Sequence, residues 1–473
     1  MGRKERFIAM LCIALCGYGV GDLCDVLPGF FTFKPLEDAA QPYPAVKSSA
    51  ETVLSLPSPA DAPMPDAAKV QEIVNSLSLD SRIGGSENLG MYVIDAETGE
   101  QLGAHNRDDG KVPASTMKIV TAYAALSMLG EEHKFVTKAA LSGENLYLVG
   151  GGDILLAENA GDPKRVVGRA GIGDLARMVV EKVADTGVAS FKVFLDDSRY
   201  SGSLYAPGVD RDLALYTLPS SPIAVGYAGD SFAGRGASER VLDTFVAQLR
   251  AAGVNAEAAG TQAAPNDVQD IAQVDSASLR EIVDFTLVHS DNALADTLQH
   301  EVAVASGKAG SFETGSATVT ERLRARDFDL SEVHIVDGSG LSLDNRLTPT
   351  LLTQILRAVW TCDPHSYSEE ENAQGEGRDT QACPATQIGV GMPFAGVDGT
   401  LQSRFTNSPA TGRVHAKTGT LGGASALAGY LYTAQGRPLI FAILANKSFA
   451  EETDFGVAVR PALDDAVNAL ASL

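Results

Sequence analysis

Ser115 and Lys118 stand three residues apart at the start of a long apolar segment, PASTMKIVTAYAAL. Residues at positions i and i+3 share one face of a helix, so the serine hydroxyl and the lysine amine can meet one turn apart. A serine hydroxyl becomes a strong nucleophile only when a base takes its proton. Burial in an apolar helix favours the neutral amine, which is such a base. The pair predicts a nucleophilic serine; the alternative is a helix cap followed by a lysine whose charged end reaches solvent.

A second group of polar residues, Ser290, Asp291 and Asn292, lies in the run HSDNALADTLQ. The serine can relay a proton to a leaving amine, and the amide of Asn292 can orient a substrate carbonyl. The alternative is a helix N-cap, because Ser and Asp ahead of an apolar helical pattern are typical of one. His289 is not predicted to be catalytic, since sequence neighbours need not face each other in a triad.

A third group, Lys417, Thr418, Gly419 and Thr420, lies in the run HAKTGTLGG. Lys417 and Thr418 at a strand edge can bind a substrate carboxylate, and Gly419 lets the substrate backbone approach closely. The backbone amide of Thr420 can be one oxyanion donor and that of Ser115 the other. A polar strand edge before a glycine turn is the alternative.

The three motifs occur in the order of a known signature. S-x-x-K, S-D-N and K-T-G together mark penicillin-binding proteins and class A β-lactamases, so we predict a serine acyl-transfer enzyme. From about residue 90 to 445 the chain also resembles the D-alanyl-D-alanine carboxypeptidase/endopeptidase family of class C low-molecular-mass penicillin-binding proteins (peptidase family S13, similar to penicillin-binding protein 4). The similar runs are MYVIDAETGEQL, PASTMKIVTAYAAL, LYLVGGGD, FLDDSRYSG, VDGSGLSLDNRLTP and VHAKTGTLGGASALAGYL.

The resemblance implies a fold and a substrate. The expected fold is α+β, a penicillin-binding/serine β-lactamase-like transpeptidase domain with an antiparallel sheet flanked by helices, interrupted by an inserted α/β domain. The expected substrate is a peptidoglycan peptide that ends in D-Ala-D-Ala, and β-lactams are expected to be covalent inhibitors. Larger members of the family insert two domains after the nucleophile, whereas this chain has room for about one.

The resemblance also implies a role for each motif residue. The nucleophile is expected to attack the carbonyl of the penultimate D-Ala; terminal D-Ala then leaves in a carboxypeptidase, and a cross-linked peptide leaves in an endopeptidase. Matched position by position, Ser115 is implied to be the acylated nucleophile and Lys118 its base. Ser290 is implied to relay a proton, and the side-chain amide of Asn292 to bind the substrate. Lys417 and Thr418 are implied to hold the carboxylate side of the substrate, and Thr420 to supply an oxyanion amide.

Two other functions share these motifs. A serine β-lactamase must deacylate quickly, commonly through an extra carboxylate base, and nitrocefin turnover would reveal it. A catalytically idle module that grips peptidoglycan has no need of Ser115, Lys118 and Lys417 together, so their presence favours an enzyme. No motif predicts a metal or a cofactor.

The segments around these motifs predict an exported chain. Residues 1–35 begin with the basic run MGRKERF and continue with an apolar run of about 14 residues. This predicts a signal peptide or signal anchor, hence a place in the cell envelope or outside the cell, with membrane association through this segment. Residues 36–70 are a Pro/Ala-rich linker. Residues 71–140 and 265–473 are predicted to form the penicillin-binding catalytic domain, and residues 141–264 the inserted domain.

The cysteines and the net charge limit the other interpretations. Three of the five cysteines fall in or beside the leader, which leaves Cys362 and Cys383 for the body. Outside the cytoplasm an isolated pair predicts a disulfide, here one that closes a polar loop. The net charge of −23 argues against a nucleic-acid partner, because binding phosphates needs clustered Lys and Arg.

Overall fold

The computed structural model describes residues 61–184, 190–226, 240–361, 386–447 and 454–473, all within one compact unit, Pro57–Leu473. The predicted leader and the two body cysteines, Cys362 and Cys383, lie outside the described residues. The leader and the disulfide therefore stay predictions.

Runs of strands and runs of helices follow one another along the chain. The helices are α1 (Ala67–Ser78), α2 (Met117–Leu129), α3 (Ile172–Val183), α4 (Val241–Ala251), α5 (Leu279–His289), α6 (Asn292–Ala305), α7 (Phe312–Arg324), α8 (Pro349–Trp360), α9 (Thr386–Gly391), α10 (Phe455–Ala458) and α11 (Arg460–Ala471). The strands are β1 (Leu89–Asp95), β2 (Gln101–His105), β3 (Lys134–Ser142), β4 (Asn145–Val149), β5 (Asp153–Leu156), β6 (Phe191–Asp196), β7 (Ile223–Val225), β8 (Ala256–Thr261), β9 (Gln269–Ser278), β10 (Val414–Leu421), β11 (Ala424–Tyr432) and β12 (Pro438–Asn446). Within these described parts of the chain, no helix is long and apolar enough to cross a bilayer.

An antiparallel sheet joins strands from the two ends of the chain. Its strand order is β10-β11-β12-β1-β2, and β1 pairs with β12 from Leu89 opposite Ala445 to Asp95 opposite Leu439. β1 and β2 form the hairpin that the sequence predicts around the Asp-Ala-Glu-Thr-Gly turn. β10, which carries the K-T-G motif, is an outer strand of this sheet.

Helices cover both faces of the sheet because its central strands carry apolar side chains on both sides. In β12, Ile440 and Leu444 pack into one core cluster, whereas Phe441 and Ile443 pack into another. The first cluster is shared with α2, α5, α6, α7 and α8, and the second with α1 and α11. The sheet is therefore the middle of three layers.

Helix α2 lies inside the first of these layers, as its apolar sequence predicts. Ten of its 13 residues are buried, and they include Lys118 in the first turn. A helix that is apolar on nearly all sides must be surrounded by protein. The burial of α2 thus carries a lysine into the core.

A second, mixed sheet is built from residues between the first two motifs. Its order is β8-β6-β4-β3-β9; β3 is antiparallel to β4 and β9, whereas β4, β6 and β8 run parallel. Helices α3 and α4 pack on it through a third core cluster that includes Leu175, Val179, Phe245 and Leu249. The first and last of its strands along the chain, β3 and β9, pair with each other. The division into a catalytic domain and an insert at 141–264 stays a prediction.

A buried ion pair joins the end of β1 to the turn before β12. Arg437 donates to Asp95 through Nε at 2.6 Å and through Nη2 at 2.8 Å, and both side chains are almost fully buried. Burial works against ionisation of Asp95, but the hydrogen bonds from Arg437 and Thr98 hold the pKa of Asp95 below its ordinary value. The pair therefore holds β1 and β12, the first and last strands of this sheet along the chain, together through two charged side chains.

Replacing Asp95 with alanine is expected to lower the free energy of unfolding at pH 7 by about 3 kcal/mol, because the arginine is left buried without its partner. A lowered folded-state pKa stabilises the protein above the unfolded pKa of about 3.9 and ceases to do so as the pH falls through the folded pKa. Urea unfolding at pH 7 and near pH 3 should therefore show the difference between wild type and variant shrinking in acid.

Asp465→Ala is the control for this experiment, because it removes only the exposed pair with Arg82. We expect a loss of less than about 1 kcal/mol there. Equal losses in the two variants would contradict a special contribution of the buried pair.

Candidate active site

The candidate nucleophile, Ser115, lies in a tight 3₁₀ turn, Ala114–Thr116, that leads into α2. Ala114 has φ +45°, a left-handed conformation that costs a non-glycine residue about 1–3 kcal/mol. Two glycines pack against this turn: a Cβ at Gly340 would lie 1.9 Å from Ala114 O, and one at Gly419 would lie 3.0 Å from the Ser115 nitrogen. Only glycine fits on either side, so the serine is fixed between a loop and strand β10.

The Lys118 amine lies beside the Ser115 hydroxyl inside the protein. Lys118 is 1% exposed, and its Nζ lies 3.0 Å from Ser115 Oγ. The same Nζ donates to Asn292 Oδ1 at 2.6 Å and to the Ser339 carbonyl at 2.8 Å. The contact expected from the i, i+3 spacing is present, and two further oxygens replace the water that the amine has lost.

The partners of Lys118 determine which protons each atom can carry. Asn292 Nδ2 donates to the Tyr216 carbonyl at 2.8 Å, which turns Oδ1 towards the lysine. That oxygen and the Ser339 carbonyl can only accept. A neutral amine has two N–H groups for these two oxygens and a lone pair for the Ser115 hydroxyl proton. The geometry therefore suits proton removal from the serine.

The carboxylate of Asp296 holds the Ser339 carbonyl in place. Asp296 lies on α6 one turn after Asn292 and accepts from the amides of Gly338 at 3.1 Å and Ser339 at 2.9 Å. Burial, and then the nearby Asp337, raise the pKa of Asp296 well above its ordinary value. The same helix thus supplies both an oxygen for the lysine and the anchor for the other oxygen.

Asp337 organises the rest of this loop. One of its oxygens accepts from the Gly340 amide at 2.7 Å and the Asn345 side chain at 2.8 Å, and the other accepts from the Ser342 amide at 2.6 Å. Burial raises the pKa of this carboxyl. The bonds hold Gly340 at φ +85°, where its backbone meets the Ala114 carbonyl. The run DGSGLS therefore forms one wall of the site.

The second and third motifs meet at another buried lysine. Ser290 has φ +58° at the end of α5, and Asp291 caps α6, so the N-cap pattern of this run is real as well. Lys417 is fully buried, and its Nζ donates to Ser290 Oγ at 2.8 Å and to the Thr418 carbonyl at 3.1 Å. Burial, and then the charge of Lys118, lower the pKa of Lys417 well below its ordinary value.

Thr418 and Thr420 lie on one face of the outer strand β10, because alternate residues of a strand share a face. Thr418 Oγ1 lies 2.8 Å from Thr400 Oγ1, in the 3₁₀ helix Gly399–Leu401. Thr420 Oγ1 accepts from Arg460 Nε at 3.2 Å. An outer strand can pair with an extended peptide, so this edge suits a peptide substrate.

The structure brings the three sequence motifs to one region. Ser115, Lys118 and Asn292 form one hydrogen-bonded group. Ser290 and Lys417 form a second, and the strand that carries Lys417 reaches the serine turn through the close packing at Gly419 described above. Among the residues described, no group of three or more His, Cys, Asp or Glu side chains could hold a metal.

The groups that orient the motifs lie outside the residues that the sequence predicts for the site. These groups are the Ser339 and Tyr216 carbonyls, the Asp296 and Asp337 carboxylates and the Thr400 hydroxyl. The run VDGSGLSLDNRLTP carried a signal for two of them, Asp337 and Ser339, because it resembles a family run although it matches no catalytic motif. A signal for a third was the spacing of Asp296, four residues after Asn292 and so on the same helix face. A backbone carbonyl such as that of Tyr216 leaves no mark on residue types.

Comparisons with known proteins identify the family of the chain. The profile of the D-Ala-D-Ala carboxypeptidase 3 (S13) family matches residues 70–229, 222–368 and 376–468. A carboxypeptidase of Mycobacterium tuberculosis is 33% identical over 402 residues, which cover 82% of each chain. The D-alanyl-D-alanine carboxypeptidase of Actinomadura sp. (strain R39) is 27% identical over 470 residues, which cover 82% of this chain and 83% of that one.

The fold is similar to that of penicillin-binding protein 4 from Haemophilus influenzae. That crystal structure gives a TM-score of 0.64 at 19% identity and covers 87% of this chain and 100% of the other. A second structure of the same protein, complexed with a β-lactam, gives a TM-score of 0.58 with the same coverage and identity. This similarity confirms the predicted α+β fold of the penicillin-binding type.

The family profile and the relatives also confirm the predicted family and enzyme class. A family that acts on the bacterial cell wall implies a place in the cell envelope. The chain belongs to the D-Ala-D-Ala carboxypeptidase 3 (S13) family, which consists of serine-type hydrolases.

Proposed function

We propose that the chain cuts the terminal peptide bond of peptidoglycan stem peptides that end in D-Ala-D-Ala, through an acyl-Ser115 intermediate. The observation that carries this proposal is the buried Lys118 amine, whose Nζ lies 3.0 Å from Ser115 Oγ and within 2.8 Å of two acceptor-only oxygens. In this arrangement the N–H groups of a neutral amine point to the two oxygens, and its lone pair can take the serine proton. A serine beside such a base can attack a carbonyl carbon.

In the first step Ser115 Oγ attacks the carbonyl carbon of the penultimate D-Ala, and Lys118 takes the hydroxyl proton. Negative charge develops on the carbonyl oxygen, and the backbone amides of Ser115 and Thr420 are the proposed donors that stabilise it. The close packing of Gly419 against the serine turn supports this pairing, because it brings the strand of Thr420 alongside the nucleophile.

In the next step the C–N bond breaks, and the amine of the terminal D-Ala needs a proton. Ser290 is proposed to supply it, and the protonated form of Lys417, whose Nζ lies 2.8 Å from Ser290 Oγ, replaces the proton that the serine gives up. Both ends of the Asn292 amide are bonded to protein groups. We therefore assign Asn292 the positioning of Lys118 in addition to the orientation of the substrate.

Water completes the cycle by attacking the carbonyl of the acyl-enzyme. Its proton passes through Ser290 back to Lys417, and Lys118 returns a proton to Ser115 Oγ as the acyl bond breaks. The same steps cut a cross-link when the leaving amine belongs to a second stem peptide, which makes the protein an endopeptidase as well. The outer position of β10 favours this second activity, because a longer peptide can extend along the strand.

A β-lactam is proposed to acylate the same serine. Its ring amide takes the place of the D-Ala-D-Ala amide, but the leaving amine stays attached to the acyl group and hinders the attack of water. The Haemophilus influenzae protein of similar fold forms a complex with a β-lactam. A β-lactamase would instead release the product quickly, and an idle peptidoglycan-binding module would not react.

The organisation of the chain is part of this proposal. We propose that residues 1–35 direct export, as a signal peptide or as a membrane anchor, and that Cys362 and Cys383 form a disulfide outside the cytoplasm. Residues 141–264 are proposed to form a domain inserted into the catalytic domain. The basic and apolar halves of the leader and the isolated cysteine pair support these assignments.

Benzylpenicillin is expected to add one penicillin mass to the wild-type protein and none to Ser115→Ala, because the acyl bond forms at Ser115 Oγ. Intact-mass spectrometry measures the adduct. Ser76→Ala, at an exposed serine on α1, is the control and should acylate like wild type. Fast turnover of penicillin and nitrocefin without an adduct would indicate a β-lactamase, and a complete lack of reaction would indicate a binding module.

Asp296→Ala is expected to slow acylation by benzylpenicillin about ten- to a hundredfold, because the Gly338 and Ser339 amides lose their acceptor and the lysine loses a fixed carbonyl. Asp296→Asn should restore most of the rate, since an amide oxygen can accept the same two bonds.

Asp344→Ala, at an exposed acid of the same loop, controls for general loop damage and should leave the acylation rate near that of wild type. If Asp296→Asn were as slow as Asp296→Ala, the carboxylate would act through its charge or proton, and the positioning role would be wrong.

A further inference from the structure

Arg460, the first residue of α11, lies beside the K-T-G-T end of β10. Its Nε donates to Thr420 Oγ1 at 3.2 Å, and the side chain is half-buried. The residue before that threonine, Gly419, packs its backbone against the amide of Ser115. The guanidinium therefore adds a positive charge at the end of the strand that runs past the nucleophile.

No carboxylate among the described residues lies within ion-pair distance of Arg460. Asp464, one turn further along α11, is bound instead by Arg404, whose Nε lies 3.3 Å from Asp464 Oδ2. Burial, and then the charge of Arg404, lower the pKa of Arg460, yet a guanidinium stays protonated at neutral pH. A half-buried cation of this kind is stabilised when an anion binds to it.

The donors of Arg460 suit a carboxylate. An arginine has five N–H donors in a planar fork, of which Thr420 receives one, and the fork binds carboxylates through two parallel hydrogen bonds. The other cation of this strand, Lys417, is already committed to Ser290 and to the Thr418 carbonyl in the core. Arg460 is thus the better placed of the two to meet an anion that enters from solvent.

The reaction proposed above supplies such an anion. In D-Ala-D-Ala the carbon next to the scissile nitrogen carries a carboxylate, and the same is true of benzylpenicillin. We propose that Arg460, with Thr418 and Thr420, binds this carboxylate and makes the enzyme select substrates that carry it. This inference rests on the proposed function, which identifies the leaving group, and adds a specificity residue that lies outside the three motifs.

Benzylpenicillin and its methyl ester test the proposal, because they differ only at the carboxylate. Wild type should be acylated faster by the acid. Arg460→Gln keeps a donor for Thr420 but removes the charge. We expect it to react about tenfold more slowly with the acid and within about twofold of wild type with the ester, as for the loss of a charged hydrogen bond. Intact-mass time courses give both rates.

Two variants and one change of conditions serve as controls. Arg460→Lys keeps the charge without the fork and should react with the acid at an intermediate rate. Arg413→Ala removes an exposed arginine just before β10 and should change neither rate. Sodium chloride should slow the reaction of wild type with the acid more than that with the ester, because salt screens a charged contact.

Each other outcome has a definite meaning. Equal slowing with acid and ester would show that Arg460 only supports the strand, and no slowing would show that another cation binds the carboxylate; both overturn the inference. If Arg460→Gln failed to fold, equal salt dependence of the two wild-type reactions would overturn it instead. A wild type that forms no adduct with either compound would refute the proposed function itself, and the inference with it.

Discussion

The rest of this structure depends on burying one amine beside one hydroxyl. Moving an ammonium group from water into the core costs several kcal/mol unless oxygens take the place of water. Lys118 enters the core because α2 is apolar on nearly all sides, and it is tolerated there because Asn292 and the Ser339 carbonyl accept its hydrogens. Those two oxygens come from different parts of the chain, so α6 and the DGSGLS loop must both be in place. The need to satisfy one nitrogen thus fixes the relative positions of three elements.

The site contains a second buried lysine that is hydrogen-bonded to a serine. Lys417 is as deeply buried as Lys118 and bonded to Ser290, and the charge of Lys118 contributes to lowering the pKa of Lys417. Two buried amines that repel each other's charge do not hold protons independently, so a proton gained at one favours its loss at the other. This suits a reaction in which one serine gives up a proton and another delivers one. Glycines at 340 and 419 set the spacing, because a side chain at either position would push the serine turn aside.

The sequence predicts much of this site, because its chemistry lies in residue types at short spacings. Ser115 and Lys118 meet one turn apart, the β1–β2 hairpin forms at its predicted turn, and α2 is buried as its composition requires. The missing parts are those that only tertiary structure determines. The Tyr216 and Ser339 carbonyls have no residue signature, Arg460 reads as the start of an ordinary amphipathic helix, and the positive φ of Ala114 and Ser290 follows from packing rather than propensity. The order and register of the mixed sheet depend on long-range pairing, which local patterns do not encode.

The pairing of β1 with β12 has a consequence for how the protein is made. Leu89 faces Ala445, so a ribosome must add more than three hundred residues after β1 before that strand, already paired with β2, gains β12 as its second neighbour. Contacts so distant along the chain form slowly, since the intervening loop must be closed first. The nucleophile turn is likewise synthesised long before Gly419 can lock it. A nascent or shortened polypeptide therefore contains Ser115 but lacks hydrolase activity, which begins only when the last strands of the sheet are added.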